Sequence, residues 1–402
     1  MPPPPPPPPP AAPPPPAQGG TPARTLEDLP PGAGVLPNQW LAAAVAAGVV
    51  DAGAFKIPEA NIQPASIDLR LSEVGYRMRC SFLPDRYAVE DRLDDLIIEK
   101  LDLHREGVVL EPGRPYLIPL KEQLALPSTM RAKANPKSST GRLDVFTRLI
   151  SDGSYRFDEV AAGYRGRLYL EVVPLSFPIR VREDLALNQL RLSVGHSAVT
   201  DAQIREQHQA QPLLYEKGRP VPDESLAVSN GLFLSLDLSG AATDGWVGYR
   251  ARENTALLDL TRLGPFERDE YWERVRREEG GRIVLSPKRF YLLLSKEAVT
   301  IPPTVAAEMT AYDPTSGELR THYAGFFDPG FGYDAGGRFH GSRAALEVRA
   351  HDVPFMIEDG QPVCKLTFER MLEPPTALYG PAIGSSYQQQ EDTLGKHFTP
   401  RR

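Results

Sequence analysis

The stretch VVLEPGRPYLIPLKEQLALPSTM (108–130) returns as IVLSPKRFYLLLSKEAVTIPPTV (283–305), displaced by 175 residues. Leu110 pairs with Leu285, Pro112 with Pro287, Tyr116 with Tyr291, Lys121 with Lys296, Glu122 with Glu297 and Pro127 with Pro302. Two further blocks keep the same order. SIDLRLSEVGYRMR (66–79) matches SLDLSG (235–240) followed by VGYRAR (247–252), and LYLEVV (168–173) matches AALEVR (344–349), setting Glu171 against Glu347. The period is too long for a solenoid and has the length of one small domain. The chain therefore reads as a tandem duplication.

The repeated unit is built from short β-branched and aromatic runs broken by Gly, Pro and Asp, such as RGRLYLEVVPL (165–175). This texture predicts an all-β sandwich or barrel rather than a βαβ sheet. Two helices are expected, at 38–50 with Asn38 as its cap and at the charged segment 266–279. Residues 2–10 are all proline, so a Pro-rich tail over 1–28 is set apart from the fold. The first β domain is placed at 29–200, a polar linker at 201–228, the second β domain at 229–375 and a C-terminal tail at 376–402.

A net charge of −7 argues against a broad nucleic-acid footprint. The longest apolar stretch, Trp40 to Val50, is too short for a bilayer, and the proline run is unlike a signal peptide. With only Cys80 and Cys364, a disulfide framework and a cysteine-rich zinc site are both excluded, and a cytoplasmic location is expected. GxxxxGK[ST] is absent, and no GxGxxG follows a strand. His104-Arg105-Glu106 matches half of a zinc-deaminase signature but lacks its P-C-x-x-C partner.

Three motifs could carry chemistry. In Lys137-Ser138-Ser139-Thr140-Gly141-Arg142, small residues allow close backbone approach to an anion while hydroxyls and cations add donors. The same pattern also fits an ordinary turn. Glu171 interrupts an apolar strand and shares a face with Tyr169, so its carboxylate points either to solvent or into a pocket where it could serve as a general base. In QPASIDLRL (63–71), alternation sets Ser66, Asp68 and Arg70 opposite Ile67, Leu69 and Leu71, the pattern of an amphipathic strand.

Taken in order, QPASIDLRL (63–71), KSSTGRL (137–143), GYRGRLYLEVVP (163–174) and NQLRL (188–192) resemble the signature of the dCTP deaminase family, within the dUTPase-like β-barrel superfamily. AGFFDPGFG (324–332), AALEVR (344–349), DGQPVCKLTF (359–368) and a tail with Tyr379 and Tyr387-Gln388-Gln389-Gln390 extend the likeness to the family's long, duplicated form. The resemblance implies a mainly β chain of two dUTPase-like barrels that converts dCTP to dUTP and ammonia without zinc. Mg²⁺ would be held mainly by the nucleotide's phosphates, and the chain would assemble as a homo-oligomer with trimer-like barrel packing. By the same resemblance Glu171 would activate water for attack at cytosine C4, with Ser138 and Arg142 orienting water and substrate. Lys137, Ser139, Thr140, Gly141, Tyr169 and Leu170 would contact substrate, and Asp158 would take over a sugar contact.

Each half departs from the pattern. SYRFDEVAAGYRG (154–166) replaces the first half's Asp-Pro-Gly turn. The second half keeps Asp328-Pro329-Gly330 and Glu347, but its loop reads Thr315-Ser316-Gly317-Glu318-Leu319-Arg320. The favoured arrangement is one site type centred on the first barrel. A composite site drawing Asp328, Glu347, Tyr379 and Gln390 from the second half is the alternative. A diphosphohydrolase or bifunctional enzyme making dUMP, and a non-catalytic nucleotide-binding protein, are the competing functions.

Overall fold

In the computed structural model the described residues are 24–240, 244–262, 266–311, 319–321, 325–337, 340–390 and 392–398, with backbone alone at 311 and 319–321. The proline run and residues 312–318, with Thr315-Ser316-Gly317-Glu318 among them, lie outside these.

The duplication is visible in strand pairing. In the first half, Ala186–Val194 lies between Met130–Pro136 and Ile67–Arg70; in the second, Pro362–Arg370 lies between Val305–Ala311 and Leu232–Ser235. Facing sheets repeat the same way. Tyr116–Ala125 pairs with Arg165–Pro174 and Val74–Met78, and Phe290–Val299 pairs with Ser342–Ala350 and Trp246–Ala251. Register is kept to the residue, since Glu171 is opposite Leu117 and Glu347 is opposite Leu292. Each half is thus a mainly β barrel, as the repeat implied. Val35, Ile67, Leu69, Leu190 and Leu192 in the first half, and Leu234, Leu293, Val305 and Leu366 in the second, are wholly or almost wholly buried. Burying each such side chain contributes roughly 1.5–3 kcal/mol before entropy is counted.

Three local expectations are revised. The first helix runs Asn38–Ala46 with Pro37 at its N-cap; Asn38 instead uses its amide to hold Thr376 of the tail. Segment 266–279 forms one helical turn, Arg268–Tyr271, and then the strand Trp272–Arg276. Pairing with Trp246–Ala251 and burial of Trp272 outweigh the helical propensity of its charged residues. Segment 201–228 is folded. Thr200 and Gln203 form a capping box for the helix Asp201–Ala210, which buries Ile204 and His208 against the second barrel.

The barrels meet across a polar seam. Arg191 reaches Asp328 and Glu369 at 3.3 Å each, Lys133 meets Glu308 at 2.5 Å, and Asn135 donates to Glu308 at 3.0 Å. Leu258 pairs in parallel with Ile179 of the first barrel. Among the described residues no helix is long and apolar enough to cross a membrane.

Candidate active site

The strand Met130–Pro136 ends in proline, and the chain closes one helical turn over Ser138–Gly141. Thr140 and Gly141 donate their N–H groups to the Lys137 carbonyl, which holds the turn tight. It lies against the second barrel. A cleft is lined by Lys137, Ser138, Gly141 and Arg142 on one side and by Phe326, Asp328, Phe331 and Glu347 on the other. Tyr379, Tyr387 and Gln390 of the tail complete it. Residues of both barrels and of the tail thus line one cleft.

Glu347 is buried in its wall. Burial raises its pKa well above the usual 4.5, Arg142 opposes that rise and Asp144 adds to it. Gly141 is pressed against it. A Cβ at this position would stand 2.6 and 2.7 Å from the two Glu347 carboxylate oxygens, so only glycine fits without displacing them. Arg142 is almost fully buried, stacks 3.7 Å over the Tyr387 ring, donates to Gln390 at 2.6 Å and reaches the Thr393 carbonyl at 3.2 Å. The loop cation therefore holds the tail as well as facing the carboxylate.

Neighbouring groups fix the walls. Asp328 is buried, with a raised pKa from burial that Arg191 counteracts. Its Asp-Pro-Gly turn needs Gly330 at φ 103°, where a side chain would strike the Tyr379 backbone. Lys137 pairs with Asp68, whose second oxygen has no hydrogen-bond partner among the described residues. Ser139 reaches the Tyr387 hydroxyl, and Thr140 is buried beneath the turn. Past Gln390, Phe398 packs edge-on to Trp272 at 5.8 Å and anchors the tail in the first core. His397 beside it is pushed down to about 4 by burial.

Glu171 is in a different place from the loop it was expected to serve. It is the cross-strand partner of Arg148, which donates to it at 2.9 Å and stacks 3.8 Å over Phe157 of the 154–166 insertion. Strand residue Arg148 thus pairs with the first barrel's carboxylate, and Phe157 of the insertion packs on that arginine. Tyr169 is buried and donates its hydroxyl to Glu90 at 3.2 Å; Leu170 belongs to the hydrophobic core. Asp158 accepts from the Leu149 N–H at 2.7 Å, with its pKa raised to about 7 by burial, and lines no part of the cleft. Sequence reasoning missed Arg148. The signal was available in VFTRLIS (145–151), where an arginine sits one strand away from the acid. Among the described residues no three His, Cys, Asp or Glu side chains gather as a metal-binding group.

Comparison with known proteins places these features in one family. Residues 32–196 match the 2'-deoxycytidine 5'-triphosphate deaminase N-terminal domain, and residues 200–398 match the C-terminal domain of the same family. A crystal structure of 2'-deoxycytidine 5'-triphosphate deaminase from Agrobacterium tumefaciens superimposes with a TM-score of 0.81 at 43% identity, covering 88% of this chain and 99% of that one. A dCTP deaminase from Natronomonas pharaonis is 33% identical over 135 residues, 33% of this chain and 66% of that protein. A protein from Methanoculleus marisnigri named "dCTP deaminase, dUMP-forming" is 30% identical over 157 residues, 37% of this chain and 79% of its own length. With both halves matched in order and a solved relative covered almost end to end, the chain belongs to the 2'-deoxycytidine 5'-triphosphate deaminase family of hydrolytic deaminases.

Proposed function

We propose that the composite cleft deaminates dCTP by hydrolysis, with Glu347 rather than Glu171 as the base. One contrast carries this reading. Glu347 is buried against Gly141 and Arg142 in a cleft, whereas Glu171 is held by Arg148. Glu347 takes a proton from water as the oxygen bonds to cytosine C4. It passes that proton to ring N3 as the C4=N3 bond opens, then carries the proton of the new C4 hydroxyl to the amino nitrogen; the C4–NH2 bond breaks, ammonia leaves and a carbonyl remains at C4. Arg142 favours the ionised carboxylate, and Ser138 orients the water.

The triphosphate lies towards Lys137, whose ammonium replaces part of its hydration. Mg²⁺ enters as part of the substrate, carried by the phosphate oxygens, and the reaction needs no zinc. The homo-oligomer expected from the resemblance remains part of this proposal, and light scattering reads it directly.

Incubation of the purified protein with dCTP and Mg²⁺, with chromatographic separation of nucleotides, tests the activity. The expected products are dUTP and ammonia in equal amounts, unaffected by a zinc-selective chelator. A second reading, direct formation of dUMP, is favoured by the names of several similar proteins. Appearance of dUMP and pyrophosphate without free dUTP would select it. Nucleotide binding without ammonia release would overturn both.

A further inference from the structure

We propose that Asp144 and Arg349, joined as an ion pair across the barrel boundary beside the Arg142 turn, set the balance of charge at the Glu347 carboxylate. The inference rests on Glu347 as the base. Asp144 lies two residues beyond Arg142 and is fully buried, at φ 57°, a conformation aspartate tolerates. Its carboxylate meets Arg349 and accepts from the Ser176 hydroxyl at 2.5 Å, while its N–H donates to the Gly141 carbonyl at 2.8 Å. Arg349 lies two residues beyond Glu347 on Ser342–Ala350, hence on the same face, and also donates to the Lys288 carbonyl. One bond therefore ties the residue after next to the cation to the residue after next to the base.

The duplication makes the assignment sharper. Where Glu347 aligns with Glu171, Arg349 aligns with Val173, so the first barrel has no matching cation. The charges facing Glu347 come from several elements: Arg142 and Asp144 from the first barrel and Tyr387 from the tail, with Lys137, Asp328 and Tyr379 further along the cleft. The strand opposite contributes uncharged Leu292. Asp144 is the anion that disfavours an ionised Glu347, and Arg349 offsets it. Breaking the same ion pair from its two ends should thus move the base in opposite directions.

The test is the acid limb of kcat/KM for ammonia release from dCTP. Arg349→Gln is expected to shift the limb up by about one pH unit, and Asp144→Asn to shift it down by a similar amount. The double variant should return it close to the native position, and Arg349→Lys should stay near native. Shifts of both single variants in the same direction, or no shift in either, would overturn the proposal, since loosened structure has no reason to change sign. If Arg349→Gln does not fold, Asp144→Asn alone decides, an unmoved or raised limb being fatal. Glu347→Gln is measured alongside. Native-like turnover in that variant would remove the base and this inference together, whereas an inactive Glu347→Gln beside same-direction shifts sinks the inference alone.

Discussion

Glu347→Gln is expected to lower ammonia release from dCTP by about 10²–10⁴-fold, the usual worth of a positioned general base, while Glu171→Gln stays close to native. Nucleotide binding should survive both changes, because glutamine keeps the shape of the side chain. Steady-state rates and calorimetric binding on the two variants check this, and a dead Glu171→Gln beside an active Glu347→Gln would reverse the assignment. Stability supplies an independent readout. The folded protein holds the Glu347 proton more tightly than the unfolded chain, because burial raises its pKa. The group's contribution to stability is therefore full below about 4.5 and is lost as pH rises through the raised folded value. Glutamine has no such dependence. The melting-temperature gain of Glu347→Gln should be larger at pH 8 than at pH 5, and an equal gain at both would mean the native carboxyl is not strained by burial.

Gly141→Ala should be nearly as damaging, although it removes no functional group. The added carbon would meet both Glu347 oxygens well inside contact distance. Either the turn or the acid must shift by several tenths of an ångström. Misplacement near 1 Å costs on the order of 10²-fold in a positioned reaction, so a loss of roughly that size is expected. Folding should be affected less, since Gly141 has an ordinary helical φ and the change lies at a cleft wall. A variant that turns over at the native rate would show that the turn and Glu347 are not in contact in solution.

The sequence made the fold legible because duplication repeats its own evidence. Each strand in one half is checked by its partner in the other, and the register of Glu171 against Leu117 reappears as Glu347 against Leu292. Local helix assignments were weaker. The charged run after residue 266 has helical composition but joins a sheet, because Trp272 and its strand partners are supplied from elsewhere in the chain. At the site, the loop 137–142 was legible as an anion cradle, while its partner acid was not. Two glutamates matched the same motif equally well. What separates them is spatial: Arg148 closes over one, and Gly141, Arg142 and tail residues from Tyr379 to Gln390 surround the other. None of those contacts leaves a periodic trace.

The turn with Arg142 and the strand with Glu347 are joined by one polypeptide, and this has a genetic consequence. In an assembly whose sites are shared between separate subunits, two differently damaged copies can rescue one another by pooling their intact halves. Here the two halves are inherited together. Mixing an Arg142→Ala protein with a Glu347→Gln protein should restore no activity, and two such alleles carried in one cell should fail to complement. A lesion on either side of the cleft is expected to silence its own copy and leave the other copy untouched.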